Sequence, residues 1–163
     1  MSTYTPDWEV RDIIVTALRA DAALHMLLFP DWSPLVDPTV DLRVYDVHAE
    51  LRPSPEVRNV LPRINVDTIW HPDAVPIEQR ASNLRGAVGL WLYAIVPEAR
   101  KAHGTMLAAR AMHVVLSTPL SGARIIAADL YGTGTAPAER LSAFDGAWQF
   151  RSEFRSAEVE VLV

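Results

Sequence analysis

Hydrophobic residues near the N-terminus recur at intervals of three and four positions, which is the spacing of an amphipathic helix. This pattern predicts a helix from about Asp7 to Phe29, with Thr5 as its N-cap and Pro6 at its first position. Asp21 interrupts the pattern and predicts a second N-cap, so that the segment consists of two helical pieces. The repeating apolar residues are Val10, Ile13, Ile14, Ala17, Leu18, Leu24, Leu27 and Leu28.

Three later segments have the patterns of strands. Strands are predicted at about residues 43 to 48 and 63 to 70, and the second of these alternates apolar and polar positions. Residues 85 to 96, RGAVGLWLYAIV, are apolar at both parities. They predict a central strand that is covered on both faces.

A second helix is predicted from Pro97 to about Ser117, and one stripe along it predicts the face that packs on the sheet. That stripe consists of Ala102, Met106, Ala109, Met112 and Leu116. A strand at about residues 123 to 130, the glycine-rich loop YGTGTAP and a C-terminal strand complete the chain. We therefore predict an α+β fold, a single domain over residues 1 to 163, in which a mixed, mainly antiparallel sheet of about five strands packs with two main helices.

The C-terminal strand, WQFRSEFRSAEVEV, changes phase near its end. Aromatic residues alternate with charged ones up to Ser156, after which the aliphatic residues move to the opposite parity. Such a slip predicts a bulge or bend that turns the end of the strand toward a neighbouring subunit. The alternative is an exposed face with ordinary solubilising charges and a frayed end. The charged residues concerned are Arg151, Glu153, Arg155, Glu158 and Glu160.

Two further groups are candidates for contact with a partner. Trp91 and Tyr93 lie on the predicted central strand, and a small sheet with two helices does not supply enough surface to cover both faces. A neighbouring subunit could cover them, although the core remains the alternative. Residues 71 to 84 are polar and predict an arm between paired strands. Its candidate contact residues are His71, Glu78 and Arg80.

Composition removes several classes of function. The chain has no cysteine, which excludes disulfides, thiolate nucleophiles and cysteine-ligated zinc. Its formal net charge of −5 argues against a surface that grips nucleic-acid phosphates, and no apolar run is long enough to span a membrane.

No catalytic or metal motif stands out. The five histidines do not pair at the spacing of a helical zinc motif, and no serine lies in a G-x-S-x-G elbow. Gly132-Thr133-Gly134 lacks the lysine and the following helix of a phosphate-binding loop. We therefore predict no enzyme activity, no metal and no cofactor.

The order of elements, together with a few short segments, resembles the tail terminator family of long-tailed bacteriophages, the minor tail protein U group. The likeness covers nearly the whole chain without a catalytic fingerprint. The segments that carry it are ALRADAALHMLL, RVYDVH, LPRINVDTIW, the apolar strand before the second helix and the strand within FDGAWQFRSEF.

This resemblance implies a structural virion protein, made in a bacterial host, that forms a ring of six at the head-proximal end of the tail tube. Such a ring stops tube polymerisation and contacts the tail tube protein and the head-completion or neck proteins. DNA would pass through its lumen without specific binding, and no membrane would be involved. The alternatives are another neck ring, such as a head-to-tail connector, and a small ligand-binding protein or enzyme with a pocket beside Trp91 and Tyr93.

Overall fold

A computed structural model describes the parts of the chain to which the structural statements below refer. These are residues 6 to 28, 43 to 45, 61 to 72, 83 to 120, 125 to 130, 139 to 141, 147 to 156 and 159 to 162. Several predicted features lie outside the described residues. They are the Thr5 cap, the middle of the predicted arm with Glu78 and Arg80, the glycine-rich loop and Glu158.

The N-terminal segment forms two helices, α1 (Pro6–Ala20) and α2 (Ala22–Leu28), as predicted. Asp21 separates them, and its Oδ2 accepts the backbone N–H of Leu24 at 2.8 Å, which is the contact of an N-cap. Arg19 ties α1 to the sheet because its Nη2 donates to the carbonyl of Val44 at 2.9 Å. Within the described residues, no helix combines the length and apolar composition that a bilayer crossing requires.

The described strands belong to one sheet. In chain order they are β1 (Val44–Tyr45), β2 (Arg63–Pro72), β3 (Asn83–Val96), β4 (Ile125–Leu130), β5 (Glu139–Leu141), β6 (Ala147–Ser156) and β7 (Val159–Leu162). The main order across the sheet is β1-β2-β3-β6-β4, with β5 paired to β6 and β7 paired to β3.

The sheet is mixed and mainly antiparallel, as predicted. Four longer strands, β2, β3, β6 and β4, are antiparallel, and only β1 is parallel to its neighbour. The predicted strand at 43 to 48 is described only at Val44 and Tyr45, so that four main strands replace the predicted five. The β3 strand lies between β2 and β6, which confirms that it is the central strand. The strand β5 was not predicted.

A third helix, α3 (Lys101–Ser117), follows a short 3-10 turn (Glu98–Arg100), and together they match the predicted second helix. The predicted packing stripe is wrong. Ala102, Met106, Ala109 and Leu116 are exposed, and Met112 is only partly buried. The face that packs on the sheet consists of Gly104, Leu107, Ala108, Ala111, Val114 and Val115. Both faces of α3 are rich in alanine and aliphatic residues, so the apolar pattern alone does not select one.

Gly104 decides which face of α3 meets the sheet. A Cβ atom at this position would lie 2.7 Å from Cδ2 of Phe150 and 2.9 Å from Cγ2 of Val96, and closer still to Cε2 of Phe150. Because those distances are well below van der Waals contact, only glycine lets the helix lie this close to the sheet.

We expect Gly104→Ala to destabilise the subunit by about 1 to 3 kcal/mol, since overpacking a dense core forces side chains to shift. At an unrestricted helical position the same change would stabilise by about 0.5 to 1 kcal/mol. Urea unfolding followed by circular dichroism measures the difference. The matched control is Thr105→Ala, one position along the helix and only partly buried, which should change stability little. A Gly104→Ala subunit as stable as the parent would contradict this packing.

Candidate functional site

The three described helices pack on one face of the sheet and leave its second face without a helix. Along β3, Leu90 and Leu92 are buried in the core that includes the helices. Trp91 and Tyr93 alternate with them, so they lie on the opposite face, and both are only half-buried. The prediction that β3 is covered equally on both faces is therefore wrong for this part of the strand.

Antiparallel register brings residues from three strands side by side on the uncovered face. Each row takes one residue from β2, one from β3 and one from β6. The rows are Asn65–Tyr93–Arg151, Asp67–Trp91–Glu153 and Ile69–Gly89–Arg155. We call the surface formed by Asp67, Ile69, Trp91, Tyr93, Arg151, Glu153 and Arg155 the second sheet face.

Burial changes along this side of the sheet. The next row, Arg63–Ile95–Gln149, is buried, with Arg63 and Ile95 fully inaccessible. At the other end, Ile69 is 46% exposed and Arg155 is exposed. A partner could therefore reach the rows of Trp91 and Ile69 but not the row of Arg63.

The charges on the second sheet face surround two aromatic side chains. Arg151 Nε lies 3.3 Å from Glu153 Oε1, and the two side chains are 44% and 33% exposed. Trp91 lies in register between Asp67 and Glu153. An exposed ion pair of this kind contributes little to folding. Aromatic residues within a polar rim are instead typical of the centre of a protein interface.

The change of phase at the end of the last strand is a β-bulge. Gly89 pairs with Arg155 on β6, and Gly86 pairs with Val159 on β7. Between these two pairs β3 has two residues, whereas the partner chain has three, so one extra residue is accommodated. Ser156 Oγ accepts the N–H of Val88 at 2.8 Å. The predicted bulge is confirmed, and β6 and β7 are two halves of one strand along β3.

The structure brings together only part of the predicted contact set. Trp91, Tyr93, Arg151, Glu153 and Arg155 share the second sheet face. The other predicted residues with a described position are His71, which lies in β2 in register with Ala87, and Glu160, which lies in β7 in register with Arg85. His71 therefore belongs to a strand and not to a loop, as predicted for it.

Sequence reasoning missed two members of this surface. Asp67 and Ile69 come from β2, and no property of their own segment distinguishes them as contact residues. They join the surface because Asp67 is in register with Trp91 and Ile69 with Gly89. The signal that could have found them is their shared parity on a strand next to β3, but it becomes useful only when the strand register is known.

The described residues offer little for catalysis. Among the residues that the structure describes, no group of three or more metal-ligating side chains comes together. Asp21 is the carboxylate with the clearest perturbation, and its role is structural. Arg110 donates from Nε and Nη2 to the two carboxylate oxygens at 2.9 and 2.7 Å, which lowers the pKa of Asp21 below its ordinary value of 3.8. Partial burial raises this pKa, and the Leu24 N–H lowers it again.

We expect the contribution of the Asp21 charge to stability to depend on pH. Because the pKa of Asp21 is lowered by folding, the contribution is fully present above about pH 4 and is lost as the pH falls through the folded-state pKa. Asp21→Ser keeps a capping oxygen and removes the charge, whereas Asp21→Ala removes both and should cost about 1 kcal/mol for the cap alone. Thermal melts between pH 7 and pH 3 measure this. If the parent and Asp21→Ser differ equally at both ends of that range, the ion pair does not act as described.

The fold is similar to that of a protein in a virus-like particle. No family model and no curated protein match the chain. A chain in the virion of a native gene transfer agent particle matches with a TM-score of 0.54 and 17% sequence identity, over 93% of this chain and 94% of that chain. At this identity the likeness establishes a shared fold over nearly the full length of both chains.

Proposed function

We propose that this chain is a structural protein of a phage-like virion that forms a ring of six subunits at the head-proximal end of the tail tube. In that position it ends tube polymerisation and carries the interface to the head-completion or neck proteins. Two independent lines support the proposal. The element order of the sequence resembles the tail terminator family, and the fold matches a chain of the gene transfer agent virion from end to end.

The observation that carries the proposal is the second sheet face. A sheet normally buries both faces, or one face while the other is plainly polar. Here the uncovered face presents Trp91 and Tyr93 at the centre and Arg151 and Arg155 beside them. Because tryptophan, tyrosine and arginine are the residues most enriched at binding hot spots, this composition favours a protein partner.

The charge of the subunit fits a ring through which DNA passes. With a formal net charge of −5 per chain, six copies add to a strongly acidic assembly. Phosphate backbones bind mainly to concentrated positive charge, so such an assembly should let duplex DNA pass without holding it. Tail tube protein and neck protein are the other partners in this proposal, and the site of the chain is the virion.

The test is to delete the gene from the particle-producing host and restore it on a plasmid. If the proposal is right, particles without the chain have tails of uncontrolled length that do not join heads, and the plasmid restores uniform tails. Electron microscopy of restored particles should show this chain as a sixfold ring between tube and head. A ring on the head vertex with tails of normal length in the deletion would instead indicate a head-to-tail connector. Absence of the chain from purified particles would contradict the proposal.

A further inference from the structure

The outward face of α3 is apolar over four turns. The exposed positions recur at intervals of four and three residues, which keeps them on one side of a helix. Met106 is 58% exposed and Leu116 is 55% exposed. The positions are Ala102, Met106, Ala109, His113 and Leu116.

Helix α2 extends this surface sideways. His103 contacts the carbonyl oxygen of Leu27, and Arg110 pairs with Asp21, so α2 runs antiparallel beside α3. Met26, on α2, is 64% exposed. We call the surface formed by Met26, Ala102, Met106, Ala109, His113 and Leu116 the outer helix face.

Charged residues are scarce on these two helices. The whole chain is 21% charged, but α2 has no Asp, Glu, Lys or Arg, and α3 has only Lys101 and Arg110. Arg110 is neutralised by Asp21, and the ammonium of Lys101 lies 3.7 Å from the centre of the Trp148 ring. Depletion of charge with exposed methionine is the composition of an interface core and not of a solvated surface.

We infer that the outer helix face of one copy docks on the second sheet face of the next copy in the ring. This inference rests on the proposed function, because it assigns the two surfaces that meet between ring subunits. An uncovered sheet face is completed by a layer of helices, as in folds that carry helices on both sides of a sheet. The outer helix face supplies such a layer from a neighbouring copy.

The two surfaces match in size and chemistry. Two helices side by side are about 20 Å wide, and four strands at about 4.8 Å spacing are about 19 Å wide. Flexible methionine side chains on one surface can pack against the aromatic rings of Trp91 and Tyr93 on the other, which is a favourable contact. The arginines and carboxylates of the second sheet face then form the rim around this centre.

Their positions on the subunit fit a ring. The helices lie on one side of the sheet and the second sheet face on the other, so the two surfaces face in opposite directions on each copy. A contact between two different surfaces is heterologous, and repetition of such a contact closes a ring when the rotation per subunit divides a full turn. Pairing of one helix face with itself would give a closed dimer instead.

The absence of cysteine permits a direct cross-linking test. Met106→Cys places a thiol on the outer helix face, and Ile69→Cys places one on the second sheet face; both positions are exposed. The two variants are co-expressed in the particle-producing host, and purified particles are treated with a short bismaleimide. We expect cross-linked dimers from the mixture and none above background from either variant alone. The control replaces Met106→Cys with Arg140→Cys, an exposed position outside both surfaces.

Each outcome separates this inference from the proposed function. Dimers from Met106→Cys alone would show that the helices pair with themselves and would overturn the inference. Intact sixfold rings without a product from the mixture would also overturn it, while the proposed function would stand. If the chain forms no ring in the particle, the proposed function fails and the inference fails with it. A second variant, Met106→Glu with Leu116→Glu, should leave the melting temperature of the subunit close to the parent value and abolish the ring.

Discussion

Leu90→Asp is expected to unfold the subunit. Leu90 is fully buried at the middle of the central strand, in register with Thr68 on one side and Phe154 on the other. A buried and unpaired carboxylate costs several kcal/mol, against a total stability of roughly 5 to 15 kcal/mol for a domain of this kind. Protonation would remove the charge, but it would leave a polar group without a partner and would still forfeit the burial of the leucine, about 2 to 5 kcal/mol.

The matched control for this prediction is Ile69→Asp. Ile69 lies on the neighbouring strand, opposite Gly89, and is 46% exposed on the second sheet face. The same new carboxylate would remain in water there, so the loss should stay within about 1 kcal/mol, the range of strand propensity. Soluble yield and thermal unfolding by circular dichroism distinguish the two variants. A soluble Leu90→Asp protein that melts cooperatively near the parent temperature would mean that the core has been placed on the wrong side of the sheet.

The sequence was sufficient for much of the fold because several local signals agreed. Asp21 combines an interruption of the helical pattern with a side chain suited to capping, and the structure has a cap there. The run from residue 86 to residue 96 could only be a strand with much of its surface buried, and it is the centre of the sheet. The slip after Ser156 is visible as a change of parity, and the register between β3 and the last strand contains the corresponding extra residue.

The side of α3 that faces the sheet could not be read from hydrophobic spacing. Its alanines and methionines make the exposed side almost as apolar as the buried one, so the periodic signal is degenerate. The deciding contact is between Gly104 and Phe150, which are 46 positions apart in the sequence. A glycine inside an otherwise regular helix was the one local sign of close approach.

The composition of the second sheet face was also beyond the sequence. Arg151, Glu153 and Arg155 could be assigned to one side of their strand from alternation alone. Which residues lie beside them depends on strand order and register, since a shift of one residue would exchange the two faces. The surface is therefore a product of tertiary pairing among β2, β3 and β6.

Reversal of both arginines on this surface, Arg151→Glu with Arg155→Glu, is expected to block assembly while the subunit stays folded. Both residues are exposed, and loss of the Arg151–Glu153 pair should change the free energy of unfolding by no more than about 1 kcal/mol. At a contact between subunits, however, like charges brought together cost several kcal/mol. The defect recurs at every contact of a closed ring, so a small change in each contact is multiplied in the assembly.

The control must alter charge equally without touching the second sheet face. Arg100→Glu with Arg140→Glu meets this need, because both residues are exposed and Arg140 forms an exposed pair with Glu98 at 3.1 Å. Each double variant thus breaks one exposed ion pair and lowers the formal net charge of −5 by the same amount. Melting temperature, ring formation and tail length by negative-stain microscopy are measured for both. Normal tails from the Arg151 and Arg155 variant would mean that these arginines only solvate an exposed face. Failure of both variants would trace the effect to net charge and not to the second sheet face.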